Sequence, residues 1–181
     1  MRSIKRWAAA LLAAVLLGCS GCAPAHTTNA PYRVYLISKS TKTEFWKTVF
    51  AGANTAKSEY NVDLTILGPE TEDDFEMQND YIRQATAEGA DAIVYSAISY
   101  TENAQAIDEA IAAGVRVIVI DSDVDSDGVS IRIGTDNVEA GRISGEAALD
   151  TALDSIVVGI VNCDVETQNC QERERGFRVA L

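Results

Sequence analysis

Hydrophobic residues along the chain alternate between the spacing of short β-strands and the spacing of amphipathic helices. Strands are predicted where Val, Ile, Leu and Tyr form short runs, namely at 33–38, 62–67, 90–96, 115–120, 129–134 and 155–162. Helices are predicted where apolar residues recur every three or four positions, namely at 44–60, 73–88, 101–113, 136–153 and 171–181. Continuous Val/Ile runs between helices indicate parallel strands that are covered on both faces. The pattern therefore predicts an α/β fold with a doubly wound parallel sheet.

Glycines punctuate these predicted elements. Gly89 and Gly114 each follow a predicted helix, in the position where a left-handed backbone conformation costs glycine little. Inside the helix predicted at 136–153, Gly141, Gly145 and Ala148 have a spacing that suits close packing.

The N-terminus has the pattern of a secretory leader. Three basic residues precede an apolar run at 7–17, which is too short to span a bilayer. The run ends in Leu16-Leu17-Gly18-Cys19, which resembles a bacterial lipobox. We therefore expect a lipoprotein signal peptide at 1–18, lipidation of Cys19, and a tether at 19–31. The alternative is an ordinary secretory signal that carries a cysteine by chance.

Charge narrows the range of partners. The chain has 15 Lys and Arg against 27 Asp and Glu, a net charge of −12. Without the leader, 12 basic residues face 27 acidic ones, a net charge of −15. Such an acidic domain repels nucleic acid and anionic lipid headgroups, so nucleic acid is excluded as a partner and a neutral or cationic ligand is favoured.

Catalytic motifs are absent from the sequence. The single histidine, His26, lies in the tether, and no Gly-x-Ser-x-Gly elbow, phosphate loop or metal-ligand set occurs. Asp123, Asp125 and Asp127 match the start of a calcium loop, but its twelfth position is Gly134, so a solvated acidic turn is the better interpretation. We expect neither an enzyme nor a bound metal or cofactor.

Two cysteines lie beyond the tether. Cys163 and Cys170 are seven positions apart in a region that we expect outside the membrane, where a disulfide can persist. Their spacing suits a staple between a strand and a loop. A disulfide and a pair of free thiols remain the two alternatives.

Polar and aromatic side chains follow the predicted strands. In open parallel sheets, ligands bind beyond the carboxyl ends of the strands. The residues placed there include Phe45, Trp46, Ser96, Asp121, Ser122 and Thr135. Aromatic faces stack on the C–H surface of sugars, and a carboxylate accepts hydrogen bonds from paired hydroxyls, so this set suits a sugar. The alternatives are that Phe45 and Trp46 belong to the core and that Asp121 caps the next segment.

Four segments in order resemble one family. They are Phe45-Trp46, Ile118-Val119-Ile120-Asp121, the run from Gly134 to Arg142, and Arg173-Glu174-Arg175-Gly176-Phe177. The chain from 33 to 181 resembles the periplasmic sugar-binding proteins of ABC importers, of the ribose-binding type. The resemblance implies a type 1 periplasmic binding protein fold, with a Rossmann-like N-terminal lobe at 32–135 and the beginning of a C-terminal lobe at 136–181.

The resemblance also implies ligand contacts. Phe45 and Trp46 would stack on the ligand ring, and Asp121 would bind paired hydroxyls. Thr135 would lie near the hinge, and Arg173 would supply a planar donor fork from the second lobe. Ser96, Ser122 and Thr43 stand where the ribose-binding pattern has other polar residues, so they leave the class intact but put ribose itself in doubt.

Length is the main departure from this family, whose members have two complete lobes that close around the ligand. We expect the 181 residues to be part of a longer protein. The alternative is a protein that has lost closure.

The expected function is that of an extracytoplasmic solute-binding lipoprotein. It would bind a sugar or polyol as a monomer, deliver it to ABC permease subunits, and be held by its lipid anchor in the periplasm or on the outer face of the plasma membrane. One alternative is a receptor that presents a bound sugar to a chemoreceptor or a membrane histidine kinase. A LacI-type regulator shares the fold, but it requires a helix-turn-helix and a basic segment that this sequence lacks.

Overall fold

The computed structural model describes residues 31–150, 155–163 and 165–181. The expected signal peptide, the lipidated Cys19 and nearly all of the tether lie outside the described residues. Among the residues that are described, no helix combines the length and the apolar character needed to cross a membrane.

The described part of the chain contains five strands, which form one parallel sheet. Their bounds are β1 Arg33–Ile37, β2 Asp63–Leu67, β3 Ala92–Tyr95, β4 Arg116–Ile120 and β5 Ile131–Ile133. The spatial order is β2-β1-β3-β4-β5. The chain therefore adds β2 on one side of β1 and then adds β3, β4 and β5 in turn on the other side. In register, Tyr35 of β1 lies between Thr65 of β2 and Ile93 of β3. This arrangement confirms the predicted doubly wound parallel sheet.

Within residues 31–150, 155–163 and 165–181, five helices follow the strands or pack beside them. Their bounds are α1 Glu44–Tyr60, α2 Phe75–Ala87, α3 Ala104–Ala112, α4 Asn137–Leu149 and α5 Gln168–Ala180. Side chains of Thr43, Asp74 and Asp136 accept hydrogen bonds from backbone N–H groups in the first turns of α1, α2 and α4. These caps fix where the helices start, which is why α2 begins two residues later than its apolar pattern predicts.

The two faces of the sheet are packed differently. One face points toward α2 and α3 and is buried against the apolar side chains of these helices. Its residues are Tyr35, Ile37, Ile93, Tyr95 and Val117. The opposite face carries the alternate residues of the same strands, most of which are only half-buried, and α1 packs against its β2 side. A largely apolar cavity of about 330 Å³ remains between that face and α1. The main core therefore lies on the α2–α3 side.

Two predicted glycine positions have the expected backbone. Gly89 follows α2 with φ of +78°, and Gly114 follows α3 with φ of +93°. Both are left-handed conformations that a side chain disfavours, which confirms the prediction that glycines end these helices.

The prediction of a strand at 155–162 is wrong. Residues 155–163 contain no strand, and the side chains of Val157 and Val161 are fully exposed. The Val/Ile run has β propensity, but propensity needs a neighbouring strand with which to pair. The five described strands pair only with one another, so residues 155–163 have no described strand with which to pair.

Helices α4 and α5 pack so closely that their backbones are in contact, and glycines lie at the points of contact. A Cβ added to Gly176 would collide with the carbonyl oxygen of Val138, and one added to Gly141 would collide with that of Arg173. A Cβ at Gly145 would lie 2.7 Å from the carbonyl oxygen of Phe177. The close packing predicted for Gly141 and Gly145 is confirmed, and Gly176 supplies its counterpart on α5.

We predict that Gly176→Ala destabilises the protein, because the new methyl group meets backbone that has no flexible side chain to move aside. The free energy of unfolding should fall by about 1–3 kcal/mol, as measured by urea denaturation. Gly52→Ala is the matched control in the interior of α1, where an added Cβ meets nothing within 4 Å. That control should stabilise by up to about 1 kcal/mol. Equal stability of the two variants would contradict the close contact.

Candidate ligand-binding site

The candidate site lies at the carboxyl ends of the strands and centres on Asp121. This residue directly follows β4 and has φ of 62°, a left-handed conformation that is uncommon for a residue with a side chain. Its backbone N–H donates to the carbonyl of Ile133 at 3.0 Å, which fixes it beside the end of β5. Backbone strain of this kind is concentrated at functional sites, where neighbouring structure maintains it.

Three side chains from other elements hold the Asp121 carboxylate. The hydroxyl of Ser96, which follows β3, donates to Oδ2 at 3.3 Å. The amide nitrogen of Asn169, on α5, donates to Oδ1 at 3.2 Å. The ammonium group of Lys39, which follows β1, lies 3.5 Å from Oδ2. Both carboxylate oxygens are therefore oriented before any ligand binds.

Lys39 connects Asp121 to the start of α1. Its side chain is only 8% exposed, and its ammonium group lies 3.4 Å from the hydroxyl of Ser122 and 4.0 Å from a carboxylate oxygen of Glu72. The other oxygen of Glu72 accepts a hydrogen bond of 3.0 Å from the indole N–H of Trp46. A buried ammonium needs such partners, because removal of one charge from a buried pair leaves the other uncompensated.

Gln78 of α2 ties together the strand ends beneath this cluster. Its amide nitrogen donates to the carbonyls of Ser38 at 3.0 Å and Ser96 at 2.7 Å. Its carbonyl oxygen accepts from the Tyr95 hydroxyl at 2.7 Å and from the Ile98 N–H at 3.0 Å. Burial raises the pKa of Tyr95 well above its usual value, so its hydroxyl remains a donor to Gln78. This one buried amide fixes the ends of β1 and β3 relative to each other.

An open cavity of about 240 Å³ adjoins Asp121. Its wall includes Thr135 and Asn137 beyond β5 and Gln168, Asn169 and Glu172 from the first turns of α5. The Oδ1 atoms of Asn137 and Asn169 are buried and have no hydrogen-bond partner among the described residues. Because these two atoms have almost no accessible surface, they do not face the open cavity.

The structure brings together some of the sequence-predicted site residues. Ser96, Asp121 and Ser122 form one cluster, and Thr135 lines the cavity next to it. Arg173 lies elsewhere, along a separate cavity between α4 and the segment before α5. The residues of α5 that reach the Asp121 cavity are one turn nearer its start, namely Gln168, Asn169 and Glu172.

Three predicted site residues lie at the start of α1, namely Thr43, Phe45 and Trp46. Two of them have structural roles, and the third is exposed. Thr43 caps the helix by accepting from the Trp46 N–H. The side chain of Trp46 is completely buried and packs edge-to-face against Phe45, with ring centroids 5.1 Å apart. Phe45 is 58% exposed. Of these two aromatic residues, Phe45 alone therefore presents an exposed ring.

Sequence reasoning missed Lys39, Glu72, Gln78 and Asn169. Lys39 directly follows β1 and its Ser38, so the strand-end rule that selected Asp121 would also have found it. Gln78 and Asn169 lie on helices with many polar residues, where nothing in the pattern distinguishes a buried amide from an exposed one.

Cys163 and Cys170 are joined by a disulfide, with Cα atoms 6.2 Å apart. Cys170 is in the first turn of α5 next to Asn169, and the Thr167 hydroxyl donates to the carbonyl of Ile98 at 3.3 Å. Together, these contacts hold the start of α5 against the end of β3.

In the acidic turn after β4, Asp123 forms an ion pair with Arg132. The Arg132 Nε–H donates to both carboxylate oxygens of Asp123, at 2.9 and 2.8 Å. No group of three or more potential metal ligands occurs in the part of the chain that the structure describes.

Taken together, a doubly wound sheet and a polar cluster at its carboxyl edge define a ligand-binding α/β lobe. Residues 34–181 match the family model described as the periplasmic binding protein domain. The chain belongs to this family.

Relatives with known names support this assignment. The D-ribose/D-allose-binding protein of Pseudomonas aeruginosa is 29% identical over 184 residues, covering 94% of this chain and 57% of the relative. A sugar transporter from Clostridium phytofermentans superposes with a TM-score of 0.78 and 30% identity, covering 83% of this chain and 56% of that one.

A carbohydrate transporter solute-binding protein from Agrobacterium radiobacter, in complex with D-arabinose, superposes with a TM-score of 0.76 and 30% identity. The match covers 84% of this chain and 53% of the neighbour. The chain thus spans about half the length of the relatives that it matches.

Proposed function

We propose that this chain forms the ligand-binding lobe of a sugar-binding protein that serves an ABC importer. The observation that carries the proposal is the Asp121 carboxylate, which Ser96 and Asn169 orient beside an open polar cavity. Support comes from the names of its relatives, which include a D-ribose/D-allose-binding protein and a D-apiose import binding protein.

Asp121 would recognise the sugar by accepting hydrogen bonds from adjacent hydroxyls. Charge-assisted hydrogen bonds of this kind contribute about 1.5–3 kcal/mol each. Lys39 would offset the negative charge of Asp121 when the ligand excludes water from the site. The exposed ring of Phe45 would stack against the C–H face of the sugar. The protein would bind its ligand without transforming it, as the solute binders of this family do.

The second half of the site would come from the other lobe. We propose that residues 32–135 form the N-terminal lobe and that residues 136–181 begin the C-terminal lobe, with Thr135 at the crossing between them. Ligand binding would then bring the two lobes together by hinge bending. Gln168 and Asn169 of α5 would contact the ligand from the beginning of the second lobe, and ABC permease subunits would receive the loaded, monomeric protein.

We also propose that the protein works outside the cytoplasm and is anchored to the membrane through Cys19. Leu16-Leu17-Gly18-Cys19 follows a basic and then an apolar segment, as in bacterial lipoproteins. Two acyl chains on Cys19 would hold the domain at the membrane, since each buried methylene contributes about 0.8 kcal/mol.

A ligand screen tests the proposed binding function. Pentoses, hexoses and polyols should be added to the complete gene product, and at least one should raise its melting temperature. Isothermal titration should then show that Asp121→Asn weakens binding of that sugar about tenfold or more, because one charged acceptor is lost. Asp127→Asn, on the exposed part of the acidic turn, is the matched control and should bind like the wild type. No response to any sugar, or equal losses in the two variants, would contradict the proposal.

Cell fractionation tests the anchor. The wild type should be recovered with membranes, and mass spectrometry should find a diacylglyceryl group on its N-terminal cysteine. Cys19→Ala should abolish both results, whereas Cys22→Ala, three residues further on, should leave both unchanged. Membrane association of Cys19→Ala would overturn the assignment.

A further inference from the structure

The disulfide between Cys163 and Cys170 lies next to the residues through which α5 reaches the candidate site. Cys170 is the third residue of α5 and is only 3% exposed, whereas Cys163 precedes the helix and is exposed. The two cysteines are seven positions apart. A cross-link over so short a stretch adds less to the stability of a protein than one that closes a long loop. Its main effect is therefore local, on the position of the first turn of α5.

Asn162, directly before Cys163, joins the same two segments. Its amide nitrogen donates to the carbonyl of Cys170 at 3.2 Å and to a carboxylate oxygen of Glu174 at 2.9 Å. The covalent bond and these two hydrogen bonds together attach the segment before α5 to the first two turns of the helix.

The turn that the disulfide holds carries the contacts of α5 with the edge of the sheet. Asn169, the neighbour of Cys170, donates to Oδ1 of Asp121 at 3.2 Å. The hydroxyl of Thr167 donates to the carbonyl of Ile98 at 3.3 Å. A shift of the first turn by about 1 Å would lengthen both hydrogen bonds beyond the normal range. The orientation of the Asp121 carboxylate thus depends on where the disulfide places Asn169.

The body of α5 is held by a different contact. Gly176, about two turns after Cys170, packs against the backbone of Val138 on α4 so closely that an added Cβ would collide with it. This contact does not involve the disulfide. Opening the disulfide therefore releases the first turn of α5, while the rest of the helix stays packed on α4.

We propose that the Cys163–Cys170 disulfide is a positioning element of the ligand site, so that the protein binds a sugar tightly only while this bond is intact. The proposal rests on the proposed sugar-binding function and adds to it a redox-sensitive determinant of affinity. With the bond intact, Asn169 orients Asp121 before the sugar arrives, so binding has little ordering left to do. With the bond open, each binding event must also order the first turn of α5, which costs affinity.

Dithiothreitol provides a reaction that opens the bond. A thiolate of the reagent attacks one sulfur of the disulfide, and its second thiol then displaces the protein from the mixed disulfide. Two electrons and two protons pass to the protein, so Cys163 and Cys170 become thiols while the reagent closes to its cyclic disulfide. The exposed position of Cys163 gives the reagent access. Outside the cytoplasm, where we propose that the protein works, the disulfide persists.

Calorimetry on the complete gene product measures the effect of this reduction. The probes are D-ribose, D-arabinose, D-allose and D-glucose, each titrated into untreated protein, into reduced protein and into protein that has been reoxidised. For each sugar that binds, reduction should weaken the affinity about tenfold, and reoxidation should restore it. Circular dichroism at the same temperature should show an unchanged helix content, because α5 remains packed on α4. Alkylation and mass spectrometry should find Cys163 and Cys170 unmodified before reduction.

Substitutions separate a positioning role from a purely structural one. The double variant Cys163→Ser, Cys170→Ala should bind about as weakly as the reduced wild type, and dithiothreitol should weaken it no further. Asn169→Ala should weaken binding by itself, and reduction should then have a several-fold smaller effect than in the wild type, because the group that the disulfide positions is gone. Glu59→Gln, exposed near the end of α1, is the matched control and should keep the full effect of reduction.

Each of the other outcomes has a definite meaning. Equal affinity before and after reduction, or free thiols at Cys163 and Cys170 in the untreated protein, would overturn the proposal and leave sugar binding intact. An equal effect of reduction in Asn169→Ala and in the wild type would overturn the positioning role. If no probe binds in either redox state, the sugar-binding function itself fails, and the role of the disulfide falls with it.

Discussion

The arrangement of the site depends on a carboxylate that four different elements hold in place at the edge of the sheet. Asp121 follows β4, and its partners Lys39, Ser96 and Asn169 come from the segment after β1, the segment after β3 and α5. They meet because parallel strands all end at the same edge. Loss of one partner would leave a charge or a polar atom without compensation in a partly buried setting, so the cluster is sensitive to each member.

The same edge is reinforced from below by packing and a single amide. Apolar residues of the central strands bury against α2 and α3, and the four hydrogen bonds of Gln78 then fix the ends of β1 and β3. At the other side of the cavity, the disulfide between Cys163 and Cys170 and the glycine contact between α4 and α5 place the start of α5. A rigid strand edge and a firmly positioned helix start therefore form the two walls of the site.

Much of this architecture could be predicted from hydrophobic spacing, because burial imposes one period on helices and another on strands. The helix at Glu44–Tyr60 and the five strands of the sheet follow directly from it. The strand-end rule also found Asp121 and Ser96. It could not show that Trp46 is buried or that Gln78 and Asn169 are, since burial of a single side chain depends on tertiary contacts. The strand predicted from the Val/Ile run at 155–162 was wrong for the same reason, because a strand forms only where a neighbouring strand can pair with it.

A pre-oriented carboxylate and an exposed aromatic ring are the two features on which the proposed recognition of sugar hydroxyls depends. The most direct measurement of that central claim is a crystal structure of the complete protein with a bound sugar identified by screening. The account predicts a sugar hydroxyl within about 2.5–3.0 Å of an Asp121 carboxylate oxygen, the normal range for such hydrogen bonds. A sugar bound elsewhere, with no contact to Asp121, would contradict it.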